Sequence, residues 1–494
     1  MKNIIFLLIF TLGITACDDY LDINQDPNSP TEENITSDMV LPGVEMNLAS
    51  SYGNFLRIVG GYYAQHYAHN FGTSNYLDYS EFKMSATRSS GTYTQLTARV
   101  LNNIKTILKL SEENEEWGTY LAATTLRVFT YQVLVDCYGE VPYTEALDIT
   151  NLSPNYDEGI DVYKAILAEL DNALSLVSPT DAVATNFLFG TTTAKEWISF
   201  AKALKLKLLM RMSSTSDVSS ELAALIAEDD FPTSDVSYDD CWTDETGKAS
   251  PFYQEEYANY FGSTQINVIG NIALMQTMID SNDGRLSQFF EKSDKGEYKG
   301  GVSGTNFGTS TQYKSDYFCR PVFTYDMPVY LISVSEIEFF LAEYHARFGT
   351  EANAKMHYEN AIKASFESAG VSGMAENIYS DTYPYDQANY KELIGIQKWI
   401  ALGGTNNFEA WCEMRRLNYP AFGTVTGDAI YDEGSDVFQQ DLYVPGSLYT
   451  PIKMNTSLGD NEILQRFPYA ESSSSRNSNT PEYKGDDSPV FWAE

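Results

Sequence analysis

Apolar residues recur at helical spacing along most of the chain. From about residue 96 the segments near 96–110, 116–137, 157–177, 194–213, 217–228, 334–348, 351–370, 386–402 and 406–417 carry apolar side chains at i, i+3 and i+4, the mark of helices with one buried face. In 157–177, Ile160, Tyr163, Ile166, Leu167, Leu170 and Leu174 fall on one face, while Asp161, Lys164 and Asp171 fall off it. Two segments pair. Ala342, Ala354, Tyr358 and Ala361 occupy the small, small, aromatic, small positions of a tetratricopeptide unit, where small residues let antiparallel helices approach closely. Gly349 makes the turn between them. No other unit matches as cleanly, so the pattern predicts a mostly α body of degenerate tetratricopeptide-like helical repeats.

The helical period lapses at both ends and once in between. An eleven-residue apolar run, Ile4 to Ile14, follows Lys2 and ends in Ile14-Thr15-Ala16-Cys17. It is shorter than the roughly 20 residues that span a bilayer, and reads as an export signal over 1–16 with Cys17 lipidated as the mature N-terminus. Several acyl chains on one cysteine anchor stably where one chain is marginal. Residues 17–38, broken by Pro27 and Pro30, read as a tether. Asp22, Asn24, Asp26, Asn28 and Glu33 have the spacing of a calcium loop there, but Pro27 stands where the sharp turn needs glycine. The body then runs over 39–494. Inside it, about 231–334 is rich in Gly, Tyr, Ser and Asn, with one convincing helix near 266–280. So long a stretch is functional or holds structure that periodicity does not reveal. Residues 418–494 read mostly as loops.

Charge narrows the function. Sixty-eight acidic side chains against 32 basic ones give a net charge of −36, which argues against nucleic acid and leaves membrane contact to the anchor. Cys137, Cys241, Cys319 and Cys412 lie far apart in sequence and read as small buried hydrophobes, without metal-ligand spacing or a disulfide framework. No metalloprotease, nucleophile-elbow, phosphate-loop or dinucleotide motif is present, so no catalytic residue, cofactor or metal is expected. His66 and His69 could share a metal but have no third ligand by spacing. His345 and His357 fall inside the repeat pair as packing or surface residues. With this many carboxylates, some pair reaches glycosidase spacing by accident, so their number does not indicate hydrolysis.

Aromatic supply is more telling. The chain has 35 tyrosines, and a sugar lays its C–H bonds on a ring while its hydroxyls seek amides and carboxylates at the edge. One cluster spans 61–82 and contains Asn70, Tyr76 and Asp78. The other lies in the long insert, with Trp242, Phe252, Tyr253, Tyr257, Tyr260 and Phe261 at spacings that favour no regular face, as suits a loop-built site. Asn70, Tyr76, Asp78, Trp242, Tyr257 and Tyr260 are the candidate ligand-binding residues. Ordinary packing is the plainer role for any one ring.

Several longer motifs carry a resemblance. The start, Cys17-Asp18-Asp19-Tyr20-Leu21-Asp22 through Asp26-Pro27-Asn28, the helix and turn at 120–147 ending Asp136-Cys137-Tyr138-Gly139-Glu140-Val141-Pro142-Tyr143, the helix from Ser335, and 397–420 together resemble the SusD/RagB family of nutrient-binding outer-membrane lipoproteins, in particular its second SusD-like subfamily. The acidic residues after Cys17 resemble a surface-export signal of Bacteroidetes lipoproteins. One departure is Asp283-Gly284-Arg285, where the family often has proline in the middle. The resemblance implies an outward-facing lid on a SusC-like TonB-dependent transporter that captures an oligosaccharide or peptide. The rivals are a surface glycosidase or peptidase, and a helical adaptor that binds only proteins.

Overall fold

The structure, a computed structural model, describes residues 34–259, 267–459 and 461–493. The export signal, Cys17, the calcium-like spacing and most of the tether lie outside them. Leaving aside helices of four residues or fewer, the helices are α1 (Ser37–Ser51), α2 (Arg57–Tyr63), α3 (Ala86–Thr94), α4 (Asn102–Glu113), α5 (Trp117–Tyr138), α6 (Gly159–Leu176) and α7 (Lys195–Met212). They continue as α8 (Ser219–Glu228), α9 (Ile272–Asp280), α10 (Val334–Phe348), α11 (Glu351–Ser368), α12 (Tyr390–Thr405) and α13 (Asn407–Leu417).

Many of the helices pack on a neighbour in sequence, with α5 at the centre, flanked by α4, α6 and α7, while α2 packs on the distant α13. That position explains its composition. Nearly every residue of α5 from Leu121 on is buried, so it shows no polar stripe, whereas α6 buries Tyr163, Ile166, Leu167 and Leu170 on a single face. The helix ends at Gly139, whose φ of 81° is a conformation that glycine adopts without strain. In the α10–α11 hairpin, Ala342, Ala354, Tyr358 and Ala361 are all fully buried, and Ala342, Tyr358 and Ala361 share one cluster, which is the close approach the repeat spacing predicts. Asp283 and Arg285 form a buried ion pair at 2.6 Å. Arg285 also donates to Ser365 at 2.8 Å and lies 4.4 Å over the Phe366 ring, so side chains fix this turn in place of a proline.

Helices begin well before residue 96, contrary to the sequence expectation. Through a π-helical turn at Tyr52–Leu56, α1 runs straight into α2, and the extra residue of that turn shifts the apolar register. All of α2 is buried, so it has no alternation to read. Its Gly60 lies so close to α13 that a Cβ there would sit 2.5 Å from the Phe408 Cα. The loop-rich regions hold short strands, of which the β1–β3 and β2–β4 pairs join distant parts of the sequence: β1 (Tyr67–His69), β2 (Val236–Tyr238), β3 (Val268–Gly270), β4 (Val329–Ile332), β5 (Phe422–Thr426), β6 (Tyr431–Asp432), β7 (Val437–Phe438) and β8 (Leu448–Thr450). Of these, β1–β3, β2–β4 and β6–β7 pair antiparallel and β5–β8 parallel. Strands of two to five residues are too short for a visible period of two.

A seam of buried charge binds the helices together. Arg211 of α7 pairs with Asp136 of α5 and with Glu409 and Glu413 of α13. Lys207 reaches Glu336 at 2.9 Å and Glu409 at 3.2 Å. Glu413 also meets Lys398 of α12 at 2.8 Å and Arg416 of its own helix at 2.7 Å, and Arg416 meets Glu343 of α10. Burial alone would raise the Glu413 carboxyl, yet the Arg416, Lys398 and Arg211 cations hold it well below the usual range. Trp492, fully buried, donates from Nε1 to Asp136 at 2.8 Å. The guanidinium of Arg415 lies 3.6 Å over Trp411 and 4.8 Å over Trp492. This network accounts for the charged, helix-forming stretch 397–420. The four cysteines among the described residues are unpaired, and Cys137, Cys319 and Cys412 are buried.

Candidate functional site

The two aromatic clusters meet across one element of the insert, the π-helical segment Tyr253–Asn259. Its inward side is polar but tightly packed. Just before it, Phe252 stacks on Tyr67 at 5.9 Å between ring centroids, with the Arg57 guanidinium 4.9 Å over its ring. Glu256 is buried and accepts from Asn267 at 3.4 Å and from Tyr76. Burial raises the Glu256 carboxyl to about 7, partly offset by those two donors. The Asn70 N–H donates to the Asn267 carbonyl at 3.2 Å, extending the β1–β3 pairing by one bond.

The opposite side of this segment faces a cavity of about 550 Å³. Gln254 and Glu255 form one wall, Met46 and Ser50 of α1 a second, and Trp242 and Phe187 the rim. The Trp242 Nε1 donates to the Tyr238 carbonyl at 2.8 Å, which fixes the indole and leaves its half-buried face toward the cavity. Phe187 is 43% exposed. Its loop is tied to α1 by Glu45, which accepts from the Phe187 N–H at 2.6 Å and the Leu188 N–H at 3.3 Å. Burial pushes the Glu45 carboxyl up to about 8 despite those two bonds. The volume lies within the ordinary range for small-molecule sites, about 300–1,000 Å³.

The sequence-predicted residues therefore take different places. Trp242 lines the cavity. Tyr257 lies two residues past the Glu255 wall, stacked on Tyr253 at 4.8 Å. Asn70 and Tyr76 sit behind the wall, where Tyr76 is 8% exposed and stacks on Tyr79 at 5.6 Å. Asp78 is exposed in a short helix beside them. Tyr260 is outside the described residues. Sequence reasoning missed Met46, Asn54, Phe187, Gln254 and Glu255, which come from three separate stretches and share no motif. Among the described residues no group of three or more His, Cys, Asp or Glu side chains is placed to hold a metal ion. His66 Nδ1 accepts from the Asn407 amide at 2.9 Å, and His345 stacks on His357 at 5.1 Å.

The fold is shared with solved structures. A SusD homologue from Bacteroides uniformis is 20% identical, with a TM-score of 0.71 over 91% of this chain and 98% of that one. A chitin-binding protein is 19% identical, with a TM-score of 0.71 over 93% of this chain and 99% of its own. A SusD homologue from Bacteroides fragilis is 18% identical, with a TM-score of 0.69 over 93% and 99%. None of the curated proteins matches the chain in sequence. No helix among the described residues is long and apolar enough to cross a membrane. A family model described as starch-binding and associating with the outer membrane matches residues 27–437. With its helical-repeat fold and ring-rimmed cavity, the chain belongs to this SusD-like family of nutrient-binding proteins associated with the outer membrane.

Proposed function

We propose that this protein is a lipid-anchored, surface-exposed capture protein that holds a glycan in the Trp242 cavity and hands it to a SusC-like TonB-dependent transporter. The observation that carries the reading is the fixed indole face of Trp242 beside Gln254 and Glu255. A ring face for sugar C–H bonds and amide and carboxylate groups for hydroxyls is the chemistry a glycan needs, and an indole already held in place loses little freedom on binding. The starch of the family description and the chitin of one structural neighbour support the same class. Asn70 and Tyr76 act as positioning residues that hold the cavity wall from behind. Tyr257 extends the aromatic surface past it, with Asp78 at the edge.

The protein binds without catalysing. Among the described residues the cavity lining contains one carboxylate, Glu255, whereas glycoside hydrolysis uses a pair. Anchoring rests on Cys17, and Cys17→Ser should abolish incorporation of labelled fatty acid. The deciding experiment is calorimetric titration with soluble starch and chitin oligosaccharides. Trp242→Ala should weaken binding of the preferred glycan by about tenfold while helical circular dichroism is unchanged. An unaltered affinity in the folded variant would move the site elsewhere, and binding of peptides alone would replace the ligand class.

A further inference from the structure

A separate cavity of about 320 Å³ lies where the turn after α5 meets the segment around Ser473. We propose that it binds a sugar acid, a hydroxylated ring carrying one carboxylate, independently of the Trp242 cavity. Three observations support this. Tyr131 of α5 lines the cavity yet is only 1% exposed, and its buried hydroxyl has no hydrogen-bond partner. Such a group costs stability unless something satisfies it. The neighbouring hydroxyls are engaged: Ser473 bonds Tyr156 at 3.0 Å and Thr94 donates to Ser472 at 3.2 Å.

The second observation is charge. In a chain of net charge −36, the cavities beside Trp242, Phe231 and Phe422 all have carboxylates in their linings. This one has none, and its single ionised side chain is Arg476, exposed at the mouth. A guanidinium offers a carboxylate two parallel donors. The third is shape. Leu101, Pro142, Leu147 and Pro154 supply apolar walls for a ring face, and Leu147 keeps a φ of 62°, a strained conformation of the kind found at ligand clamps. Its carbonyl is held by Lys105 at 2.8 Å. The volume, at the low end for small-molecule sites, suits one or two rings.

The probe is sodium glucuronate, titrated into the mature full-length protein beside glucose and acetate. Glucuronate should bind more tightly than either. Tyr131→Phe should weaken it about tenfold while the thermal midpoint stays level or rises, because the variant loses an unsatisfied buried hydroxyl. Arg476→Gln should bring glucuronate down to the affinity of glucose and leave glucose unchanged. Trp242→Ala should leave glucuronate binding intact, which separates this site from the one proposed above. The proposal is overturned if glucuronate does not bind at millimolar concentration, if folded Tyr131→Phe binds as well as the parent, or if binding disappears with Trp242.

Discussion

The charged seam and the Trp242 cavity use the same kinds of side chain in opposite ways. In the seam, Asp136, Glu336, Glu409 and Glu413 are removed from water and each faces a cation from another helix. Around the cavity, rings and amides are half-exposed and the charged groups stay near solvent. A buried pair fixes which helices meet and in what register, but removing one partner strands the other in a medium that cannot solvate it. A ring at a rim contributes only the contact it makes. Stability and ligand capture should therefore separate by region.

The largest effect should come from the seam. Arg211→Met leaves Asp136 without its cation and Glu409 with Lys207 alone, and should lower unfolding free energy by about 3–5 kcal/mol, read from urea denaturation. An unmoved transition would show that the seam does not hold the helices. Next is the approach of α2 to α13. Gly60→Ala sets a methyl group against the Phe408 backbone, which has no flexible end to yield, and should cost about 1–3 kcal/mol on the same measurement.

Two titrating groups sharpen the contrast through pH. Burial raises Glu45 from 4.5 to about 8, so its contribution is full below pH 4.5 and is lost as pH rises to about 8. Burial depresses His66 from 6.5 to about 3, so the neutral ring contributes fully above pH 6.5 and loses that contribution as pH falls toward 3. Glu45→Gln should shrink the loss of thermal midpoint on the alkaline side, to which Glu256, raised to about 7, also contributes, and leave the acid side unchanged. An alkaline limb of undiminished size would show that Glu45 is not a group responsible. The smallest effect on the fold belongs to the rim: Phe187→Ala should change stability by no more than about 0.5 kcal/mol, yet weaken glycan binding several-fold.

What could be read from the sequence follows the same division. Helices α4, α6 to α8, α10 and α11 show their buried faces as a period, and Ala342, Ala354, Tyr358 and Ala361 even reveal which two pack together. The α2 helix is silent because it is buried all round, and the strand pairs because each lasts only a few residues. The Trp242 cavity was half legible. A tryptophan among tyrosines in a loop drew attention to the insert, but its other walls come from α1 and from Phe187, which only the folded chain brings beside it. The ion pairs of 397–420 were visible as charges, with nothing to tell that they face inward.

Trp492 has a consequence for the order of events during synthesis. Asp136 belongs to α5, yet one of its hydrogen-bond donors comes from a residue that follows every helix in the chain. The indole also lies 5.1 Å from the Arg211 guanidinium, so it closes the hydrophobic side of the same charge cluster. A nascent chain that has finished all its helices still has this acid incompletely satisfied. The last donor to this buried carboxylate is therefore supplied only once the segment beyond residue 488 has been made.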